Sequence, residues 1–135
     1  MAVETTLVLV KPDGMQRQLA GEILARLERR GLELRGARLL KISRSLAGQH
    51  YAEHKGKPFF EGLVDFITSG PLVAMILEGL SAVEAARQVI GKTDPIDAEM
   101  GSIRADFALE MRHNLVHGSD SEESAAREIA LFFGD

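Results

Sequence analysis

Four apolar segments of strand length, at residues 5–10, 32–42, 71–77 and 115–117, alternate with stretches whose apolar residues recur at helical spacing. That order constrains the fold more than any other feature, because strands and helices must bury their apolar sides against one another. The first segment is β-branched and apolar, and Lys11-Pro12-Asp13-Gly14 ends it with turn chemistry. Leu19, Ile23, Leu24 and Leu27 then share one helix face, with Gly31 as the C-terminal cap. A half-buried second strand follows over 32–42, where Leu, Glu, Leu and Arg alternate before Leu39-Leu40. Two short helical segments, around 47–54 and 60–68, precede a third strand that opens at Pro71 and is nearly all apolar to Leu77. Ser81 is expected to cap a helix that packs Val83, Ala86, Val89 and Ile90. Residues 92–102 are the longest stretch without periodicity. A short fourth strand carries Leu115, Val116 and His117. Asp120 with Glu123 is expected to cap a last helix that packs Ala125, Ile129 and Phe132.

The order is β-α-β, an inserted helical pair, then β-α-β-α. It predicts an α+β, ferredoxin-like βαββαβ sandwich, with a four-stranded antiparallel sheet, helices on its faces and an inserted helical hairpin. No repeat, low-complexity tract or linker interrupts residues 1–135, so a single domain is expected. Such a sheet hosts many activities, and function has to be argued from particular side chains.

Composition removes several classes. Hydrophobic residues at 45% and charged residues at 27% give the balance of a globular protein rather than a disordered or membrane chain. Without cysteine there can be no disulfide, thiolate zinc site, iron–sulfur cluster or cysteine nucleophile. The net charge of −4 opposes a nucleic-acid binder, which would show a basic face. It leaves room for a small phosphorylated ligand held by a local cluster drawn from Lys11, Arg87, Lys92 and Arg104. The N-terminal residues lack a basic leader, and the apolar runs 7–10 and 72–77 are too short for a signal peptide or a membrane span. A cytoplasmic location and no membrane partner are expected.

The segment Asn114-Leu115-Val116-His117-Gly118-Ser119-Asp120 sets a bare imidazole at a strand-to-helix junction, where functional side chains and phosphates commonly meet. On residue types alone His117 fits two roles, a core histidine bonded to a carbonyl or a functional group. Glu128 falls between Ala125 and Phe132 in helical phase, at the border of the apolar stripe, where His117 is a natural partner. There is no glycine-rich phosphate loop. Any phosphate must therefore be held by side chains, with Lys11 at the end of the first strand, Arg87 on a helix, and Lys92, Thr93 and Arg104 in or just after the long loop. His50 and His54 are spaced to share a helix face, but Tyr51 stands where a zinc protease has its glutamate. Hydrogen bonding by Tyr51 and His54, with a structural His50, is the better reading. For Phe59 and Phe60 the pattern favours core packing; a lid on which a base stacks is the alternative for one of them.

Five separated motifs, taken together, are more specific than any one of these readings. Val8-Leu9-Val10-Lys11-Pro12-Asp13-Gly14, the stretch 50–60, Thr68-Ser69-Gly70-Pro71, Gly101-Ser102-Ile103-Arg104 and the stretch 114–121 resemble, in order, the nucleoside diphosphate kinase family over residues 5–133. The resemblance implies that His117 takes the γ-phosphoryl group of a nucleoside triphosphate and passes it to a diphosphate, with Glu128 and Ser119 orienting its imidazole. It implies that Lys11, Tyr51, Arg87, Thr93 and Arg104 bind phosphates and that Lys11 with Asn114 reaches the ribose. His54 would lie beside the phosphates, and Phe59 would stack on the base with Met111 against it. Mg2+ would arrive on the nucleotide phosphates, touching Asp120 at most through water. A homohexamer built as a trimer of dimers is implied, with a tetramer as the alternative.

Several positions depart from the family pattern. Met111 stands for a usual valine, Asp94 for asparagine, Ala105 for glycine, and Glu99-Met100 for alanine-proline; the chain stops at Asp135, shorter than many relatives. These changes bear on loop stiffness and subunit contacts, since a lost proline frees the backbone. A non-catalytic nucleotide-binding module and an interaction scaffold are the competing readings. The set of His117, Lys11, Arg104 and Glu128 favours the enzyme, because a binder needs no nucleophilic histidine.

Overall fold

A computed structural model describes residues 2–134; Met1 and Asp135, the residue at which the chain ends, lie outside the described residues. Strands β1 (Val3–Val10), β2 (Glu33–Leu40), β3 (Leu72–Leu80) and β4 (Val116–Gly118) form one sheet in the order β2-β3-β1-β4. Every pairing is antiparallel. The helices are α1 (Pro12–Gln16), α2 (Ala20–Arg29), α3 (Arg44–His50), α4 (Phe60–Ile67), α5 (Ala82–Ile90), α6 (Ile103–Phe107) and α7 (Glu122–Phe133). This is the expected α+β, ferredoxin-like architecture, and α3 with α4 is the helical pair inserted between β2 and β3.

Two cores lie on opposite faces of the sheet. Val8, Val10, Met75 and Leu77 pack against Ile23 and Leu27 of α2 and Ala86 and Ile90 of α5. Leu7, Leu9, Leu72 and Ala74 turn the other way, onto Ala47, Val64, Ile67 and Phe132 of α3, α4 and α7. β1 is therefore covered on both sides, which is why its sequence runs apolar without polar alternation. Each fully buried leucine there contributes roughly 1.5–3 kcal/mol. At the end of α2, Gly31 takes φ 108°. Its N–H donates to Glu28 O at 3.0 Å and that of Leu32 to Leu27 O at 3.2 Å, a pairing that closes the helix as its glycine predicts.

Several local expectations are corrected. Residues 12–16 are a short helix rather than a turn, because Pro12 at its first position has the right φ and no N–H to lose. The third strand starts at Leu72 and continues to Leu80, three residues past the sequence expectation. Ser81 does precede α5, but in a left-handed conformation with no capping bond from its hydroxyl; Glu4 Oε1 accepts from Val83 N–H instead, at 3.1 Å. Ser121, not Asp120, caps α7, its hydroxyl accepting from Ser124 N–H at 3.0 Å. The stretch 92–102 contains a single 3-10 turn, Pro95–Asp97, capped by Asp94. None of the described helices is long and apolar enough to cross a membrane.

Candidate active site

Three register pairs join β4 to β1: Val8 with Gly118, Leu9 with His117, and Val10 with Val116. Directly opposed side chains share a face. His117 thus lies on the Leu9 side with α3 and α7, while Val116 joins the α2 and α5 side. It is the middle residue of the strand rather than its end, because the pairing runs on to Gly118, while Leu115, at φ 74°, lies outside the strand.

On that side β4 meets α7. His117 Nε2 lies 3.0 Å from Glu128 Oε1, and the Ser119 hydroxyl donates to the same oxygen at 2.6 Å. Ser119 is fully buried and fixed in turn by β1, its N–H donating to Leu7 O at 3.1 Å and its Oγ accepting from Leu7 N–H at 3.3 Å. Burial by itself would raise the Glu128 pKa. The hydrogen bonds and charge of His117, together with the Ser119 hydroxyl, outweigh it and bring the pKa down to about 2. An ionised carboxylate can only accept, so Nε2 carries the shared proton, and in the neutral imidazole it is Nδ1 that holds the lone pair. The His117 side chain is 26% exposed, and its Nδ1 has no hydrogen bond among the described residues.

A row of rings leads outward from this pair. His50, buried at the end of α3, stands edge-on to His117 with centroids 4.8 Å apart; Tyr51 is 4.6 Å from His50, His54 is 6.3 Å from Tyr51, and Phe59 is 5.2 Å from His54. Burial, and after it the neighbouring His117, holds His50 neutral with a pKa of about 3. Burial with the nearby carboxylates of Glu128 and Asp13 pushes the Tyr51 phenol to about 12. His54 lies in the 3-10 turn Ala52–His54 beyond the end of α3, so it does not share a helix face with His50 as their spacing suggested. Phe59, 45% exposed, ends the row with the Lys57 ammonium 5.8 Å from its ring. It is not core, and Phe60 is the member of the pair that packs inward.

His50, His117 and Glu128 are the group of three possible metal ligands that converge among the described residues. Their spacing does not suit zinc. Ligand atoms around a tetrahedral zinc lie roughly 3.4 Å apart, whereas His50 Nδ1 and Glu128 Oε2 are 3.9 Å apart, and Glu128 Oε1 is already engaged by two donors. Within the trio the shared proton lies between His117 and Glu128, and His50 Nδ1 has no hydrogen bond among the described residues.

The cations gather where β1 ends and β4 begins. Lys11 Nζ donates to Asn114 Oδ1 at 2.5 Å, and Asn114 Nδ2 donates to Thr93 O at 3.0 Å. Arg104, 7% exposed, spreads its guanidinium over three carbonyls: Asn114 at 3.3 Å, Gly91 at 2.9 Å and Val116 at 2.5 Å. Burial lowers its pKa to about 10, which leaves it charged near neutral pH. Arg87 donates to Gly118 O at 3.2 Å, next to His117. It also lines a cleft of about 700 Å³ with Lys92, Glu99 and Asp120. Asp120, on the lining of this cleft, and Thr93 are both exposed, and Met111 is 54% exposed on the 3-10 turn Met111–His113.

Two residues of this region were undervalued in the sequence. His50 reads there as structural, yet it packs on His117. Asp13 reads only as a turn residue, yet its carboxylate is buried and accepts from Leu115 N–H at 3.1 Å. Pro12 was the available sign of the short helix; nothing in the local sequence announced the buried acid.

Comparison with known proteins supplies the remaining constraint. The family model described as nucleoside diphosphate kinase matches residues 4–135. A nucleoside diphosphate kinase of Bacillus licheniformis is 63% identical over 131 residues, 97% of this chain and 88% of that protein. One of Mycobacterium tuberculosis is 62% identical over 131 residues, 96% of each chain. The solved structure of a halophilic nucleoside diphosphate kinase from Halobacterium salinarum, in complex with CDP, superposes with a TM-score of 0.95 at 53% identity, covering 99% of this chain and 90% of the other.

Proposed function

The chain belongs to the nucleoside diphosphate kinase family, phosphotransferases that work on nucleotides with a divalent metal, and from that premise we propose that His117 is its phosphate carrier. The observation that carries this reading is the Glu128 carboxylate on His117 Nε2, which leaves Nδ1 with its lone pair. Nδ1 attacks the γ-phosphorus of a nucleoside triphosphate, the bond to the β-phosphate oxygen breaks, and the diphosphate leaves. The terminal oxygen of a second nucleoside diphosphate then attacks the phosphorus, the N–P bond breaks, and the imidazole is restored. This is a ping-pong cycle through phosphohistidine.

Phosphoryl transfer asks mainly for in-line positioning and for cations around spreading charge. Lys11, Arg87 and Arg104 supply the cations, with Tyr51, Thr93 and His54 beside them. Asn114, coupled to Lys11, serves the ribose, and Ser119 steadies Glu128. Phe59 and Met111 take the base between apolar surfaces. The metal is Mg2+, which when bound neutralises phosphate charge. Asp120, which lines the cleft with Glu84 and Glu99, would reach the ion through water while the phosphates held it. The test is whether γ-labelled ATP leaves label on the polypeptide and whether GDP then removes it.

Base selectivity should be poor. The pocket side chains proposed for the base are Phe59 and Met111, and stacking tolerates every base because each has a π-face. Specificity constants for ADP, GDP, CDP and UDP should fall within roughly two orders of magnitude. Rejection of one base by about ten-thousandfold would reveal a polar reader and remove the stacking account.

Residues 1–135 act as one cytoplasmic domain that assembles as a homohexamer. Supporting the assembly, Ile96, Met100 and Leu109 hold large apolar side chains 72%, 89% and 81% exposed. Met100 also replaces a rigid proline, so subunit packing would supply order that the free loop lacks. Light scattering should give a mass near six times 14.7 kDa that persists on dilution. A fully active monomer would defeat the idea, and a stable four-subunit mass would select the tetramer.

A further inference from the structure

The short helix after β1 carries a carboxylate that the phosphoryl cycle does not use. Asp13 is 9% exposed; its Oδ2 accepts from Leu115 N–H at 3.1 Å, and Oδ1 is buried with no hydrogen bond among the described residues. The same turn grips the Leu115 peptide at its other end, where Lys11 N–H donates to Leu115 O at 2.9 Å. The approach is so close that a β-carbon on Gly14 would stand 2.8 Å from Leu115 O. Leu115 itself sits at φ 74°, a left-handed conformation that a leucine keeps only when its surroundings over-determine it. The residues on either side are functional. Asn114 precedes it and binds Lys11 Nζ; Val116 follows with a carbonyl that accepts from Arg104, and His117 comes next.

We propose that Asp13 is a positioning residue for phosphoryl transfer, which holds the Leu115 peptide in its left-handed turn to aim Asn114 and His117 and serves as the buried counter-ion of Lys11. The proposal rests on the phosphoryl-transfer reading of the site. Asp13 touches no reacting atom. Around the Lys11 ammonium stand the Arg104 guanidinium from α6, the His50 imidazole from α3, the Phe66 ring from α4 and the Asn114 amide; Asp13 supplies the opposing charge. Burial is the strongest influence on Lys11 and lowers its pKa, Asp13 opposes it, Arg104 adds to the lowering, and the ammonium stands at about 8. Without the carboxylate Lys11 would lose its proton at a lower pH.

Two variants separate the geometric and the electrostatic parts. Asp13→Asn keeps an oxygen that can accept from Leu115 N–H but has no charge; Asp13→Ala has neither. Phosphorylation of His117 by ATP in a single turnover should slow at least about tenfold in Asp13→Ala, and Asp13→Asn should recover most of that loss at mildly acid pH. In Asp13→Asn the alkaline limb of kcat/KM should move down by about one pH unit. A residue that only stabilised the fold would lower the melting temperature and leave that limb in place. A wild-type single-turnover rate in Asp13→Ala overturns the positioning role, and an unmoved limb in Asp13→Asn overturns the counter-ion role; should Asp13→Ala not fold, the Asp13→Asn profile decides. If the unmodified chain takes no phosphate from ATP, the reading of the site fails instead.

Discussion

His117→Asn should lower phosphate transfer from ATP to GDP by at least about three orders of magnitude while nucleotide binding survives. The amide is close in shape to the proximal part of the ring. It keeps its place opposite Leu9 but stops short of Glu128, which keeps the Ser119 hydroxyl, so the sheet register and the cation cluster stay as they are. What disappears is the nitrogen with a free lone pair. Label from γ-labelled ATP should mark the unmodified chain and not this variant. The label should be lost in acid and kept in alkali, as an N–P bond dictates. Transfer at a near-normal rate in the variant would remove His117 from the mechanism. The opposite lability would point to a serine ester, with Ser119 as the nearest candidate.

Arg104→Ala should be the most damaging change among the phosphate-binding residues, because it strikes fold and function together. Its guanidinium satisfies the carbonyls of Gly91, Asn114 and Val116 from a position only 7% exposed. Buried acceptors left without donors cost about 1–3 kcal/mol each, and water entering the gap recovers part of that. A net loss of about 3–5 kcal/mol follows, read as a melting temperature lower by roughly 10 °C or more. Function suffers separately. At an effective dielectric near 20, one cation about 4 Å from a phosphate charge is worth roughly 4 kcal/mol before desolvation. Arg104→Lys should keep part of the charge effect but not the three-way fork, and so fall between the two in stability. A melting temperature for Arg104→Ala within a few degrees of the unmodified protein would mean the three carbonyls find other partners.

The fold was legible where burial dictates pattern. β1 shows five successive buried residues at its end because both faces are covered, and the apolar faces of α2, α5 and α7 recur at helical spacing because each packs on one side. Local chemistry was harder to read. Asp120 and Ser121 are both good caps, and only the extended backbone at Ser121, with its hydroxyl on Ser124 N–H, decides between them. α6 has five residues, too few to display a period, and Pro12-Asp13-Gly14 suits a turn and a helix start equally. At the site, residue types announced His117 and the cations. The union of His117 with Glu128 depends on β4 lying beside β1 under α7, which no local window contains. Asp13 escaped because its partner is a peptide N–H a hundred positions away, and a backbone group has no signature in sequence.

The brevity of β4 also sets where this chain can change length. Three pairs fix its register on β1, and successive side chains in a strand point to opposite faces. A residue gained or lost between Leu115 and Ser119 would turn the imidazole toward Ile90 and away from Glu128. The surface stretches at 96–101 and 109–110, by contrast, end before the Leu115 peptide, which Asp13 and Lys11 hold from outside. Insertions there can be taken up without reaching the strand. Leu115 is therefore a boundary for evolutionary drift in length, open on its N-terminal side and closed on the other.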